Sequence, residues 1–463
     1  MQPQSAEMTA IAARLDRLSI TSAHRAVLVA TAIAYFFELC DLNTFSFASV
    51  GAVTYWNIPT NFVAVIIAAL FAGMFVGAAA SGYLAERYGR RPILLGATVV
   101  YGLASLGSAV SWNPESLALC RFVTGVGLGG IANSNTVFLA ELVPARVRGK
   151  FTAIAFAIGV LGVPATAAVA RLVVPLAPWG WRLVFVWGAI GILDAWLIAR
   201  LRESPRWLAA AGRMDEAKQE VSRLETIALA EHGALDPPVP SPLSFEVRRA
   251  PFSELFRQGY RGRVILFCSF WTLQTFGIYG YSAWAPLLLL KEGVSVVHSL
   301  TYATLTTIAS PLGAALAIVL SERIRRKWLV AVVAALIAIS AASYGATLMP
   351  VAIVAFGFVT SCLLQFFAAI LYIYTPENFP TGLRSSGMGI TYGAGRLANV
   401  VGPFVVGAVY SNLGYASVFV FIAGCWGLLA VLAALFGPAR PATPAATGSV
   451  ATSAGRQAGA PAG

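Results

Sequence analysis

Residues 84–91 read LAERYGRR, and residues 320–327 read LSERIRRK. Leu84, Glu86, Arg87 and Arg90 match Leu320, Glu322, Arg323 and Arg326 at an offset of 236. Further on, Glu141, Pro144 and Arg148 of ELVPARVRG match Glu377, Pro380 and Arg384 of ENFPTGLRS at the same offset of 236. Two separate matches at one offset indicate a duplicated chain, with two halves in parallel arrangement.

Around these loops the sequence is apolar. Hydrophobic residues make up 58% of the chain and charged residues 11%, against about 25% charged in soluble domains. Lipid is the solvent that suits such a composition. A spanning helix needs roughly 20 apolar residues. Candidate spans fall at 26–53, 61–82, 92–111, 116–140, 151–174, 181–200, 262–288, 299–320, 328–348, 351–374, 385–410 and 416–436. They are helices because an isolated strand would leave its backbone unpaired in lipid. The expected fold is an all-α membrane protein with twelve transmembrane helices in two six-helix, pseudo-symmetric bundles.

The net charge of +12 is not spread as nucleic-acid binding would need. It gathers after spans 2, 4, 6 and 8, as in Arg87, Arg90, Arg91, Arg146, Arg148, Lys150, Arg325 and Arg326. The alternate loops are almost bare, Lys291 being the clearest exception. The positive-inside rule then places both termini and the central loop in the cytoplasm of a cell-membrane protein. The expected organisation is a cytoplasmic segment over 1–25, a bundle over 26–200, a cytoplasmic linker over 201–261, a second bundle over 262–436 and a disordered tail over 437–463. The linker holds an amphipathic stretch, Met214–Ala230, and the proline-rich DPPVPSP. The five cysteines all sit in spans and read as packing residues.

GYLAERYGRRPILL resembles the signature loop of the major facilitator superfamily, and LSERIRRK is its weaker echo. RFVTGVGLGGIANSNTVFLAELVPARVRGK and RESPRWL resemble sugar porters, as do Gln274, Gly277, Ile278 and Pro286 in span 7. Tyr279, Tyr372 and Val163 stand where sugar porters have Asn, Trp and Gln. RLDRLSITSAHR, FFELCDL and GMGITYGAGRLANVVGP are similar to metabolite:proton symporters, a branch that often has an acid where this chain has Ile131. The resemblance implies alternating-access transport. It implies that Asp41 couples transport to protons, with Arg121 as its partner until protonation releases the pair. It also implies a cytoplasmic gate built from Gly82, Glu86, Arg87, Gly89, Arg90, Arg91, Glu141 and Arg148, with Glu322, Arg323, Glu377 and Arg384 in the second half.

Charges within spans are costly and each asks for a reason. Glu38 and Asp41 lie three apart near the middle of span 1, on one helical face. Two close carboxylates in a low dielectric hold a proton more readily than either does in water. Asp194, near the inner end of span 6, reads as structural. The spans of the second half contain no acid; they offer Arg396, Gln274, Gln365 and Asn399, and position 38 maps onto Gln274. Tyr392, Arg396 and Asn399 follow an i, i+4, i+7 pattern, so they share a face. A guanidinium there suits a carboxylate. Trp271 and Tyr279 are candidates to stack on a planar ring, Tyr281 and Trp284 read as an interfacial belt, and spans 1, 4, 7 and 10 are expected to line one cavity.

The expected function is proton-coupled symport of a small organic acid, with protons, an anionic solute and the bilayer as partners. Tyr372 and Tyr392 join the substrate-binding set. The alternatives are a sugar or polyol porter and a transporter-like sensor. No cofactor, metal or nucleic acid is expected. The histidines (His24, His232 and His298) lie outside the spans and no nucleophile constellation appears, so no enzyme is expected. The chain is expected to act as a monomer.

Overall fold

The computed structural model describes residues 3–237, 252–256, 260–320, 324–380 and 383–438. Glu322, Arg323, most of the proline-rich stretch and nearly all of the tail lie outside the described residues.

Among the described residues, twelve helical spans follow one another. They are Ser22–Trp56, Thr60–Tyr88, Arg90–Ala109, Pro114–Leu142, Ala145–Leu176 and Arg182–Arg200 in the first half. In the second half they are Arg261–Ser282, Val296–Ala317, Arg326–Gly345, Pro350–Glu377 and Tyr415–Phe436, with Arg384–Leu413 as span 11. Eleven are apolar enough by hydropathy to cross a membrane. Span 11 carries Arg396 and still runs for 30 residues. The expected span positions hold, while the helices extend further at most ends because polar residues continue the backbone ladder past the apolar window.

Local chemistry sets the breaks. Asn57 closes span 1 at φ 51°, a left-handed position, and Pro59 opens span 2. The Asn113 side chain accepts from Ser116 N at 2.7 Å and caps span 4. Span 7 breaks after Ser282 and resumes at Ala285–Lys291 with Pro286 in its first turn. Tyr281 and Trp284, read as an interfacial belt, are instead 5% and 1% exposed. The break turns both rings into the packed outer part of the second half.

The duplication is visible in the contacts. A Cβ at Gly77 of span 2 would overlap the Val126 carbonyl oxygen of span 4. A Cβ at Gly313 of span 8 would overlap the Cys362 carbonyl oxygen of span 10. The two contacts are related by the offset of 236. Lipid supplies no hydrophobic drive between helices, so small residues that let backbones touch hold each bundle.

A second, smaller core caps the first half. The helix Pro3–Asp16 packs against Pro205–Ala210 and Met214–His232 around Ile11, Leu15, Trp207, Val221 and Leu224. Arg14 and Arg17 pair with Glu225 at 2.6 and 2.5 Å. Asp16 pairs with Arg206 at 2.7 Å and accepts from Ala145 N at 2.8 Å.

The halves meet away from the basic loops. Ser46 Oγ donates to the Ser282 carbonyl at 2.6 Å, and Arg171 Nε donates to Thr301 Oγ1 at 2.6 Å. Ser46 and Ser282 are themselves equivalent positions, so spans 1 and 7 cross on the pseudo-twofold axis.

Gly77→Val places methyl groups into the Val126 backbone. Overpacking of this kind costs about 1–3 kcal/mol, so thermal unfolding of the purified protein should begin at a lower temperature. Unchanged unfolding would mean that the glycine contact does not hold the bundle.

Candidate functional site

Span 1 passes between the halves and carries both Glu38 and Asp41. In a helix, residues three apart share a face only loosely, and the two side chains part company here. Asp41 turns into its own bundle. Its Oδ1 accepts from Arg121 Nη1 at 2.8 Å, and both side chains are fully buried. Arg121 is saturated. Nη1 also donates to Thr44 Oγ1 at 3.1 Å, Nη2 to Ser105 Oγ at 3.1 Å and Thr124 Oγ1 at 3.0 Å, and Nε to Ser108 Oγ at 3.1 Å. The guanidinium carbon lies 4.7 Å from the Phe185 ring centre. Arg121 therefore does not reach for the interface. Asp41 Oδ2 has no hydrogen bond. The hydroxyl shell was not anticipated, although Thr44 and Thr124 each stand three residues after the charge they serve.

Among the described residues, the second half holds no counterpart of this pair. At the offset of 236, Asp41 and Arg121 correspond to Gly277 and Gly357. Trp426 fills the space at Gly277, and Thr306 with Tyr281 fills it at Gly357.

Glu38 faces the other way. It is 7% exposed, its Oε2 has no partner, and it acts electrostatically on Arg396 of span 11. The expected carboxyl pair is thus divided: Asp41 belongs to Arg121 and Glu38 looks across to Arg396. Arg396 donates to the Tyr392 hydroxyl one turn back and lies 4.8 Å from that ring's centre. Among the described residues it forms no ion pair. Trp271 meets Tyr372 and Tyr392 edge-on, with centroids 4.9 and 5.0 Å apart, and its Nε1 donates to Thr375 Oγ1 at 3.1 Å. Trp271 is 3% exposed and Tyr372 is 45% exposed, so Tyr372 offers the open face of this cluster.

Gln274 and Asn399 are buried, and the side-chain oxygen of each lacks a partner. The structure brings Glu38, Tyr279, Tyr372, Tyr392 and Arg396 into one electrostatic neighbourhood. Tyr279 also edges Phe71 of span 2, with centroids 4.7 Å apart.

A cavity of about 850 Å³, counting its part open to solvent, is lined in part by Tyr279. Its polar lining includes Asn43, Ser282, Thr306, Ser310, Ser361 and Gln365. Span 8 contributes in place of span 4, whose glycine face is spent on packing against span 2. Thr306 with Ser310, and Ser361 with Gln365, are four apart, a signal present in the sequence but not used. Asn399 lines a smaller cavity with Tyr279.

At the basic end, Arg90 Nε meets Glu141 Oε1 at 3.2 Å, and Arg326 meets Glu377. This is one ion pair built twice, at the offset of 236. Arg87 does not join it; its guanidinium stacks on Tyr88 at 5.4 Å. Gly89 sits at φ +109°, where a Cβ would also strike Glu203. Glu203 accepts from Arg91 N at 3.1 Å. The Arg91 side chain reaches the carbonyls of Ile198 and Ala199. Gly82 packs near Asn133, and the Glu86 carbonyl accepts from Trp207 Nε1 at 3.0 Å. Arg384 Nε donates to the Pro376 carbonyl at 3.1 Å. Arg148 is half-buried beside Arg206, Asp16 and Glu141.

Residues 27–440 match the family described as Sugar (and other) transporter. The putative metabolite transport protein YyaJ of Bacillus subtilis (strain 168) is 41% identical over 92% of this chain and 94% of its own length. The niacin transporter NiaP of Acinetobacter baylyi is 30% identical over 86% of this chain and 89% of its own. The xylose transporter XylE of E. coli, solved in a partially occluded inward open conformation, superposes with a TM-score of 0.74 at 19% identity, over 90% of this chain and 100% of that one. With its twelve spans in two duplicated halves, the chain belongs to the sugar (and other) transporter family of the major facilitator superfamily and is a multi-pass membrane transporter rather than an enzyme.

Proposed function

We propose that this transporter carries a small organic carboxylate together with protons, the carboxylate held by Arg396. The observation that carries the proposal is the setting of Arg396. It is a guanidinium in a spanning helix, without an ion pair among the described residues, beside Tyr392, Tyr279 and Tyr372, with Trp271 packed on Tyr372 and Tyr392. A desolvated guanidinium demands an acceptor, and its planar fork matches a carboxylate. Aromatic walls suit an apolar or ring-bearing body. Gln274 and Asn399, both buried with unpartnered amide oxygens, are the proposed neutral hydrogen-bond partners. A niacin transporter among the relatives fits, niacin being a ring carboxylic acid.

Asp41 is the proton carrier in this scheme. Its one paired oxygen holds Arg121, and protonation cancels the attraction and frees the first half to rearrange. Glu38 competes with the substrate for Arg396, so that arrival of the solute is felt by span 1. The mouth pairs Arg90–Glu141 and Arg326–Glu377 serve the gate. The basic loops and both termini face the cytoplasm.

A sugar or polyol porter is the second reading, supported by the hydroxyl and amide lining of the large cavity. Uptake and counterflow in proteoliposomes separate either form of transport from sensing.

Arg396→Lys keeps the charge and loses the fork, so carboxylate binding should weaken about tenfold or more. A calorimetric panel of aromatic acids, aliphatic acids and hexoses checks it. Binding of hexoses alone, indifferent to the substitution, would replace the acid by the sugar.

Asp41→Asn keeps an oxygen for Arg121 but cannot carry a proton. It should abolish accumulation driven by a pH gradient while counterflow continues. Gradient-driven accumulation at the normal level in this variant would remove Asp41 from the mechanism.

Glu141→Ala leaves Arg90 unpaired far from the solute. Maximal transport rate should fall several-fold with substrate affinity kept. Lost affinity at an unchanged rate would argue against a gate.

A further inference from the structure

We propose that Asp194 is the next proton station after Asp41, reached through the Tyr101 hydroxyl, and that it passes the proton toward the end of the bundle that carries the basic loops. The proposal rests on the reading of Asp41 as the proton carrier.

Span 6 runs behind the Asp41–Arg121 pair. A Cβ at Gly188 would lie 2.9 Å from Asp41 Oδ2, the oxygen without a hydrogen bond. Three residues on, a Cβ at Gly191 would overlap the Tyr101 hydroxyl. Three residues further stands Asp194. Between Ile190 and Leu193 the span tightens to a 3-10 turn, in which positions three apart lie one above another. Gly188, Gly191 and Asp194 therefore form one edge, about 9–12 Å long at 1.5–2.0 Å per residue. It begins at the free oxygen of Asp41, passes the hydroxyl of Tyr101 and ends at a second carboxylate.

Asp194 lacks the structural partner that its residue type led us to expect. It is 3% exposed, and among the described residues neither carboxylate oxygen has a hydrogen bond. Acids in spans that serve only structure are paired or bonded. The titratable groups around this edge come from span 1 (Glu38, Cys40 and Asp41) and from span 3, where Tyr101 is 1% exposed. Arg91 of span 3 is occupied by the carbonyls of Ile198 and Ala199. Arg200, at the end of span 6, is stacked on Trp196 at 3.3 Å. Tyr101 stands in the fields of both Asp41 and Asp194.

In the transfer, side-chain rotation brings the Tyr101 hydroxyl, which bonds neither acid in this structure, into reach of both; the Asp41 carboxyl proton then passes to the Tyr101 oxygen while the tyrosine's own proton passes to the Asp194 carboxylate. Tyr101 ends unchanged, Asp41 is again an anion able to hold Arg121, and Asp194 is a neutral acid. Loss of that proton to water at the basic end resets the path.

Two measurements on the full-length protein test this. The first is an infrared pH titration of purified protein, with Asp194→Asn as the difference control. A buried carboxyl that titrates and vanishes in Asp194→Asn is expected; a carboxyl that never titrates overturns the relay. The second uses proteoliposomes with niacin as the probe. Asp194→Asn and Tyr101→Phe should each slow uptake driven by a pH gradient about tenfold or more, with niacin counterflow retained and Asp194→Glu restoring the driven rate. Wild-type driven rates in both variants, or equal loss of driven uptake and counterflow, overturn the proposal. If the unaltered protein moves niacin with no response to the gradient, the coupling reading falls with the relay, and the infrared titration still reports whether Asp194 takes a proton.

Discussion

In hydrocarbon a charged side chain has no water to turn to, and the Asp41–Arg121 pair is how the first half meets that constraint. All three nitrogens of the guanidinium are bonded, to the one carboxylate and to hydroxyls from three spans. Spans 1, 3 and 4 are tied together through this one side chain. Removing one partner of such a buried pair strands the other, typically at about 3–5 kcal/mol. A link so strong when ionised and so weak when protonated is suited to being switched.

Other charges in the spans are left less complete. Glu38, Asp194 and Arg396 sit in spans without ion pairs among the described residues. Their positions divide the labour. Glu38 and Arg396 face one another across the halves, where the solute is proposed to bind. Asp194 lies behind span 1 on the edge that leaves Asp41. At the positions equivalent to Asp41 and Arg121 the second half has Gly277, packed against Trp426, and Gly357, packed against Thr306 and Tyr281. That half is filled with rings where the first half is wired with charge.

Much of this was legible along the chain. The offset of 236 foretold the pairing of the mouth: Arg90 with Glu141 recurs as Arg326 with Glu377, because duplicated helices repeat their contacts. The resemblance to proton-linked porters placed Asp41 beside Arg121, and the two side chains do meet. Arg87 and Arg90 both stand among the expected gate residues; Arg90 reaches Glu141 while Arg87 lies over Tyr88, because loop residues one turn apart are equally basic and only packing decides which meets the acid. Span 4 was expected in the cavity and lies instead against span 2, because its glycines bury it.

The sequence by itself determined the helices, their number, the two-fold repeat and the side on which charge collects. Hydropathy and periodicity act locally, so they survive without knowledge of neighbours. The tertiary structure alone decided the partners. Glu38 and Asp41 share a helix and nearly a face, yet one looks toward Arg396 and the other toward Arg121. Asp194 reads as a structural acid along the chain, and only the packed structure shows that neither of its oxygens has a hydrogen bond among the described residues. Which way a side chain points is set by how its helix is rotated against several others, and that rotation is a property of the packed bundle.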